Sequence, residues 1–406
     1  MEAISERKTV DTVLSSILMT LIICSKLINS SISQFYSGSL KTGLITMGFI
    51  WLCLLVYYVL TKRRTVSIIG TTFICYILAF LGLSYFTVGG HSHELFLHYI
   101  EYGVLGFLIA GTNFDIEKAT RFSGYLLLLL SVPTIRMIQN SYRSYGNLLG
   151  LVESYTILPP AFAVLAHFLY FRKKHDWIMY LSYILTVFLL YSMVFRGIRG
   201  AILCVIALII FILLNRNPHC GEVKLGRIAL VITLLLLVLN YDRVLSWVAD
   251  IPAINNIHIR FIEKSISIGK ALAGDYSNGR TAIYKIAFQD FIKSPIWGNG
   301  IGYFPEAHNI NYPHNIVLQV MAEGGILLAA PIIGLLVYCM YLLLFAKISN
   351  RYMRITIILL ASSTIPAASV SDELWNYPLL WTLFGVLIKK YHLLAEDNRE
   401  RMGSIR

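Results

Sequence analysis

Long apolar runs recur along the chain near residues 11–28, 43–60, 66–86, 95–111, 123–139, 150–171, 177–195, 199–214, 226–242, 316–346, 354–370 and 376–389. Each is long enough, or nearly so, to cross a hydrocarbon core, which takes about 20 residues of helix. The pattern predicts an all-α polytopic membrane protein of about 12 transmembrane helices. Only one polar interval is long, residues 243–315. No internal repeat interrupts the series, so residues 1–406 read as a single transmembrane domain with the 243–315 loop inside it.

Composition sharpens this picture. Hydrophobic residues make up 57% of the chain and charged residues only 14%, against about 25% charged in soluble domains. The basic clusters Lys62-Arg63-Arg64, Arg172-Lys173-Lys174, Arg216 with Lys224 and Arg227, Lys347 with Arg351 and Arg354, and Lys389-Lys390 fall on alternate loops. The positive-inside rule makes those loops cytoplasmic, together with both termini. The net charge of +12 is therefore a topology signal, and no nucleic-acid partner is expected. The N-terminal MEAISERKTVDT leads into an apolar run with no small-residue cleavage pattern, so that run is expected to stay as a span. Cys24, Cys53, Cys75, Cys204 and Cys339 lie inside apolar runs and Cys220 in a polar loop, which leaves no disulfide framework.

This sidedness puts 243–315 outside, where it carries seven basic residues against five acidic ones. Arg196, Arg199, Arg136 and Arg143 fall on the same side. Cations where positive charge is normally scarce point to an anionic ligand. The chain has no phosphate-binding P-loop and no dinucleotide fingerprint. Any chemistry must then sit at the outer membrane surface and use a substrate already activated.

Three stretches carry candidate chemistry. In FRGIRG, residues 195–200, arginines stand close to hydrocarbon at a cost, either as interfacial anchors or because Arg199 meets phosphate oxygens through its planar fork. In SNGRTAIYKIAFQDFIKSPIWGNGIGYF, residues 277–304, the Asn278-Gly279 turn delivers Arg280 at a helix start, a natural anion site. Ile283, Ile286, Ala287 and Phe291 then share one side, with Lys285 and Asp290 elsewhere, as in a helix lying against the membrane surface. Gly298, Gly300 and Gly302 read first as tight-turn residues and second as a phosphate-cradling loop.

The third stretch is YPHNIVLQVMAEGG, residues 312–325, where the chain re-enters the membrane. His314 is placed either to take a proton from a sugar hydroxyl or to act as a structural hydrogen-bonder. Glu323 lies about 180° around an ideal helix from His314, so a neighbouring helix is expected to hold it. A competing group, His91, His93, Glu94, His98 and Glu101, puts positions 94, 98 and 101 on one helical face as a metal site would. Interfacial polarity suffices to explain it, and no metal is expected.

The order and shared sidedness of these stretches resemble the O-antigen ligase and O-antigen polymerase (Wzy-type) superfamily of bacterial envelope proteins. The likeness is specific over roughly 195–330: an Arg-Gly motif opening a span, a loop Gly-Arg before a helix, KSPxxGxGxG, and Pro-His-Asn at the membrane. It implies that Arg199 and Arg280 bind the diphosphate of an undecaprenyl-diphosphate-linked oligosaccharide and that His314 activates the acceptor. The implied reaction is an inverting, metal-independent glycosyl transfer at the periplasmic face of the inner membrane, with no cofactor. Ile198 stands where the family usually has Ser or Thr, which leaves Arg196 as an alternative to Arg199. Arg196, Arg136, Asn315 and Glu323 complete the substrate-binding candidates, and a chain-length regulator protein is a further candidate partner beside membrane lipid.

Within the superfamily, the YPHN…Glu-Gly-Gly segment resembles the polymerase branch, with the ligase that hands polymer to lipid A-core as the alternative. A polysaccharide transporter or flippase predicts ionisable residues near the bilayer midplane. Here the polar residues gather at the outer ends of the spans.

Overall fold

A computed structural model describes residues 2–35, 42–62, 66–136, 149–171, 176–195, 199–215, 280–346, 348 and 350–389, and among them the chain is helical with no strand. The first apolar run becomes α1 (Glu2–Ile23) and α2 (Ser25–Phe35), bent by 61° at Cys24. There follow α3 (Thr42–Thr61) and α4 (Ile68–Thr87). The next run is divided into α5 (Gly90–His98), a π-helical segment Tyr99–Val104, and α6 (Leu105–Ala110). The run read at 123–139 is helical over 131–136 as well and starts earlier than its apolar pattern, because α7 covers Ile116–Leu129. Asp115 caps it, its carboxylate accepting the Glu117 N–H at 2.9 Å, and the polar first turns hide this start from a hydropathy pattern.

Beyond it lie α8 (Leu149–Phe171), α9 (Trp177–Phe195) and α10 (Arg199–Asn215). The ninth apolar run, 226–242, and the loop as far as 279 lie outside the described residues. The chain continues as α11 (Arg280–Lys293), α12 (Tyr303–His308), α13 (Ile316–Leu344), α14 (Arg351–Val370) and α15 (Pro378–Lys389). Among the described residues α3, α4, α13 and α14 are long and apolar enough to cross a membrane, and the bent α1–α2 pair makes a fifth. Residues 155–171, 177–191, 200–214 and α15 are shorter apolar helices.

The outer helices present Leu52, Leu55 and Val59 of α3 and Ile68 and Phe86 of α4 to their surroundings. Such a surface is costly in water and natural in lipid. By contrast α14 runs through the centre, packed along α10 and against α8 and α13. Its buried Ser363 and Thr364 hydroxyls donate to the carbonyls of Leu359 and Leu360, so the polarity carries little penalty.

The helix α13 is broken at Gly325, where φ is 58° and ψ −159°. The segment after α11 fills the break. Asn299 donates its N–H and its Nδ2 to the Ala322 carbonyl (3.1 and 2.9 Å), and Gly300 N–H donates to Glu323 O at 2.8 Å. In return Ile326 N–H donates to Pro295 O at 2.8 Å, so the peptide groups freed by the break are satisfied. Gly298, Gly300 and Gly302 all have positive φ, which bears out the tight-turn reading. Their amides are engaged with Ser294 O, Glu323 O and the Glu323 carboxylate, so they serve the helix break rather than a phosphate.

A Cβ at Gly325 would lie 2.4 Å from Ile296 O, and one at Gly298 2.3 Å from Glu323 O. Adding left-handed strain to this crowding, Gly325→Ala and Gly298→Ala should each cost about 2–5 kcal/mol. Gly334, with open space around it, is the control. Thermal unfolding of the purified protein in detergent checks this, and three equal midpoints would refute the packed break.

The surface-helix reading of 279–293 is corrected. Ile283, Ile286 and Ala287 of α11 turn onto Phe304 of α12 and Ala322 of α13, so protein covers that face. Asp290, read as lying off the apolar side, is fully buried. It is held by Lys293 Nζ at 2.8 Å and His308 Nε2 at 2.6 Å.

Candidate active site

At the start of α13, Asn315 is the cap: its Oδ1 accepts the N–H groups of Val317 (3.0 Å) and Leu318 (3.1 Å), and its Nδ2 donates to Ser369 O at 3.4 Å. His314, the residue before it, sits in the left-handed region with φ 56°, unusual for a residue with a side chain. Strain of this kind persists only where the surroundings impose it, and it concentrates at functional sites. Here the imidazole lies against the Tyr312 ring with centroids 4.4 Å apart. The backbone of Ser371 receives hydrogen bonds from both the Tyr312 hydroxyl and the His314 ring. His314 Nδ1 is buried with no hydrogen-bond partner among the described residues, and so is the ring nitrogen left to take a proton.

Arg280 opens α11 and bonds Tyr284 one turn on. Its charge also reaches His314, Tyr312 and Tyr155. Burial first, and then the Arg280 guanidinium, hold the His314 pKa below its usual 6.5. The ring is accordingly neutral at pH 7 and able to accept a proton. Burial, with Asp372 and Glu373 adding to it, pushes the Tyr312 phenol well above its ordinary range, so it stays a donor.

The Arg-Gly motif meets the same group from the other side. A Cβ on Gly200, the second residue of α10, would stand 1.6 Å from the Tyr155 hydroxyl. Only glycine fits, and the close approach brings the backbone of Arg199 to the tyrosine that Arg280 faces. The side chain of Arg199 and all of Arg196 lie outside the described residues. Arg136 is exposed, and no described contact joins it to this group.

Glu323, 1% exposed, accepts from Trp375 Nε1 at 3.0 Å and Gly302 N at 3.5 Å. The expected neighbouring helix is in fact the loop between α14 and α15. That loop also supplies residues the motifs missed. Asp372 Oδ2 pairs with Lys26 Nζ at 3.0 Å, and Glu373 accepts from Asn376 Nδ2 at 3.0 Å. Burial, with Glu323, Glu94 and Asp372 adding to it, raises the Glu373 carboxyl to about 8. Their sequence signal is a lone lysine inside the first apolar run and an acidic pair between the last two.

The histidine-rich helix α5 does not form the three-residue face expected of it. Glu94 lies 3.8 Å from both His91 and His98, His93 stacks on Tyr85 with centroids 3.6 Å apart, and Glu101 falls in the π-helical segment, where the 3.6-residue register no longer holds. Among the described residues no group of three or more His, Cys, Asp or Glu is arranged to hold a metal ion.

Residues 184–333, the stretch that holds Arg199, Arg280, His314 and Glu323, match the family model described as O-antigen ligase. Comparison with curated proteins finds no match.

Proposed function

With the O-antigen polymerase/ligase superfamily supported over residues 184–333, we propose that this membrane protein is an O-antigen polymerase. In this reading it moves a growing glycan from undecaprenyl diphosphate to the sugar of another lipid-linked repeat unit, at the periplasmic face of the inner membrane. The observation that carries the reading is the convergence of Arg280 on a neutral, partly buried His314 with one nitrogen free. The acceptor hydroxyl gives its proton to His314 while its oxygen bonds the donor's anomeric carbon on the face opposite the leaving group. The bond from that carbon to the diphosphate oxygen breaks, and the electron pair departs with the lipid diphosphate. Arg280 and Arg199 stabilise the charge growing there.

Arg196, Arg136 and Asn315 are proposed to contact the lipid-linked oligosaccharide, with Glu323 holding the glycine loop beside them. The proposal includes about 12 spans, cytoplasmic termini, a periplasmic 243–315 loop and a chain-length regulator as partner. The ligase is the second reading, favoured by the description of the family model itself.

Envelope polysaccharide from a strain lacking the protein, run on a gel that resolves lipid A-core, core plus one repeat and long chains, separates these readings. Core carrying a single repeat is the result expected of a lost polymerase. Bare core with accumulating lipid-linked polymer would identify a ligase, and an unchanged profile would return the protein to the transporter class.

A further inference from the structure

A charge within an apolar run is costly and is kept where it is paired or used. Lys26 is such a charge, on α2 just past the bend at Cys24. Its Nζ lies 3.0 Å from Asp372 Oδ2 and 4.2 Å from the centroid of the Tyr377 ring, tying the N-terminal helix pair to the loop after α14. Asp372 N–H in turn donates to Ala367 O at 3.0 Å, which fixes the residue on the end of α14. The residue before it, Ser371, supplies the backbone on which both the Tyr312 hydroxyl and the His314 ring are set.

We propose that Lys26 is a positioning residue for the transfer, holding and neutralising Asp372 so that the Ser371 backbone keeps the His314 imidazole in place. The inference rests on the transferase reading of this site. Asp372 faces Tyr377, Tyr155 and Cys204 as well as Lys26 and Tyr312, and none of the other four supplies a cation. Arg280 faces His314 and Tyr312 from α11, and Glu373 adds a carboxyl beside Tyr312. Remove Lys26, and the loop loses its anchor, and with it the Ser371 hydrogen bond to the ring, which favours the charged imidazolium.

Two readouts test this on the purified full chain. One is the pH dependence of diethyl pyrocarbonate modification at His314, followed by mass spectrometry, which reports the ring's titration without any activity. The other is kcat and KM for transfer from a lipid-diphosphate-linked glycan. Lys26→Met should move the modification midpoint to lower pH and lower kcat by about tenfold or more with little change in KM, while Lys26→Arg keeps both near wild type. If Lys26→Met does not fold, Asp372→Asn reads the link from its other end and should move the midpoint to lower pH. A midpoint and kcat that ignore Lys26, or an unmoved midpoint in Asp372→Asn, would overturn the inference. Should the wild type show no transfer while the midpoint still follows these charges, the transferase reading fails and the Lys26–Asp372–His314 link stands.

Discussion

His314→Asn should abolish transfer by about 10²–10⁴-fold, the usual worth of a positioned proton acceptor, while the protein stays folded. Asparagine suits this test better than alanine because it tolerates the left-handed backbone that His314 occupies at φ 56° yet cannot act as the base. The pH profile of the wild type makes the prediction more specific. His314 has its pKa lowered by burial and by Arg280, so in the folded protein the neutral, proton-accepting form persists below pH 6.5. Activity should hold through neutrality and fall only as the pH drops through this depressed value. The same sign applies to stability: the unfolded chain takes up the proton first, so the contribution of this residue is lost as the pH falls. Full transfer by a well-inserted His314→Asn protein would remove the histidine from the chemistry.

Hydrophobic periodicity carried most of the helices, because a run of apolar residues long enough to span has few other stable forms in lipid. It failed where polarity and helix coincide. The polar opening of α7 reads as loop, although Asp115 caps it. A π-helical segment between α5 and α6 moves Glu101 out of the register that residue spacing assumes. The break at Gly325 leaves only a Glu-Gly-Gly signature in the sequence, and the segment that fills it comes from the other side of α12. Arg280 and His314 stand out in the sequence by residue type and by the turns that present them, and the structure brings the Arg280 charge to the His314 ring. Their company is not legible in the sequence. Lys26 and Asp372 stand 346 positions apart, and neither motif nor spacing within one segment signals a contact of that kind.

Arg280→Gln should lower kcat by about 10²–10³-fold, the range seen when one donor to a developing anionic charge is removed. If this were only a lost phosphate contact, the pH profile of the remaining activity would keep its shape. The structure requires more, because the Arg280 charge is one of the two causes that hold the His314 pKa down. Without it the imidazolium becomes easier to form, and the acid limb of the residual activity should shift to higher pH. Arg280→Lys separates the two effects. A lysine keeps the positive charge, and with it the acid limb near its wild-type position, but cannot present a planar two-point grip to the leaving diphosphate. Its rate should therefore fall between wild type and Arg280→Gln. An Arg280→Gln protein with lowered kcat and an unmoved acid limb would mean that burial alone sets the histidine's titration. An Arg280→Gln protein with undiminished kcat would take the leaving diphosphate away from α11 altogether and leave the Arg-Gly motif at the start of α10 as its remaining cationic anchor.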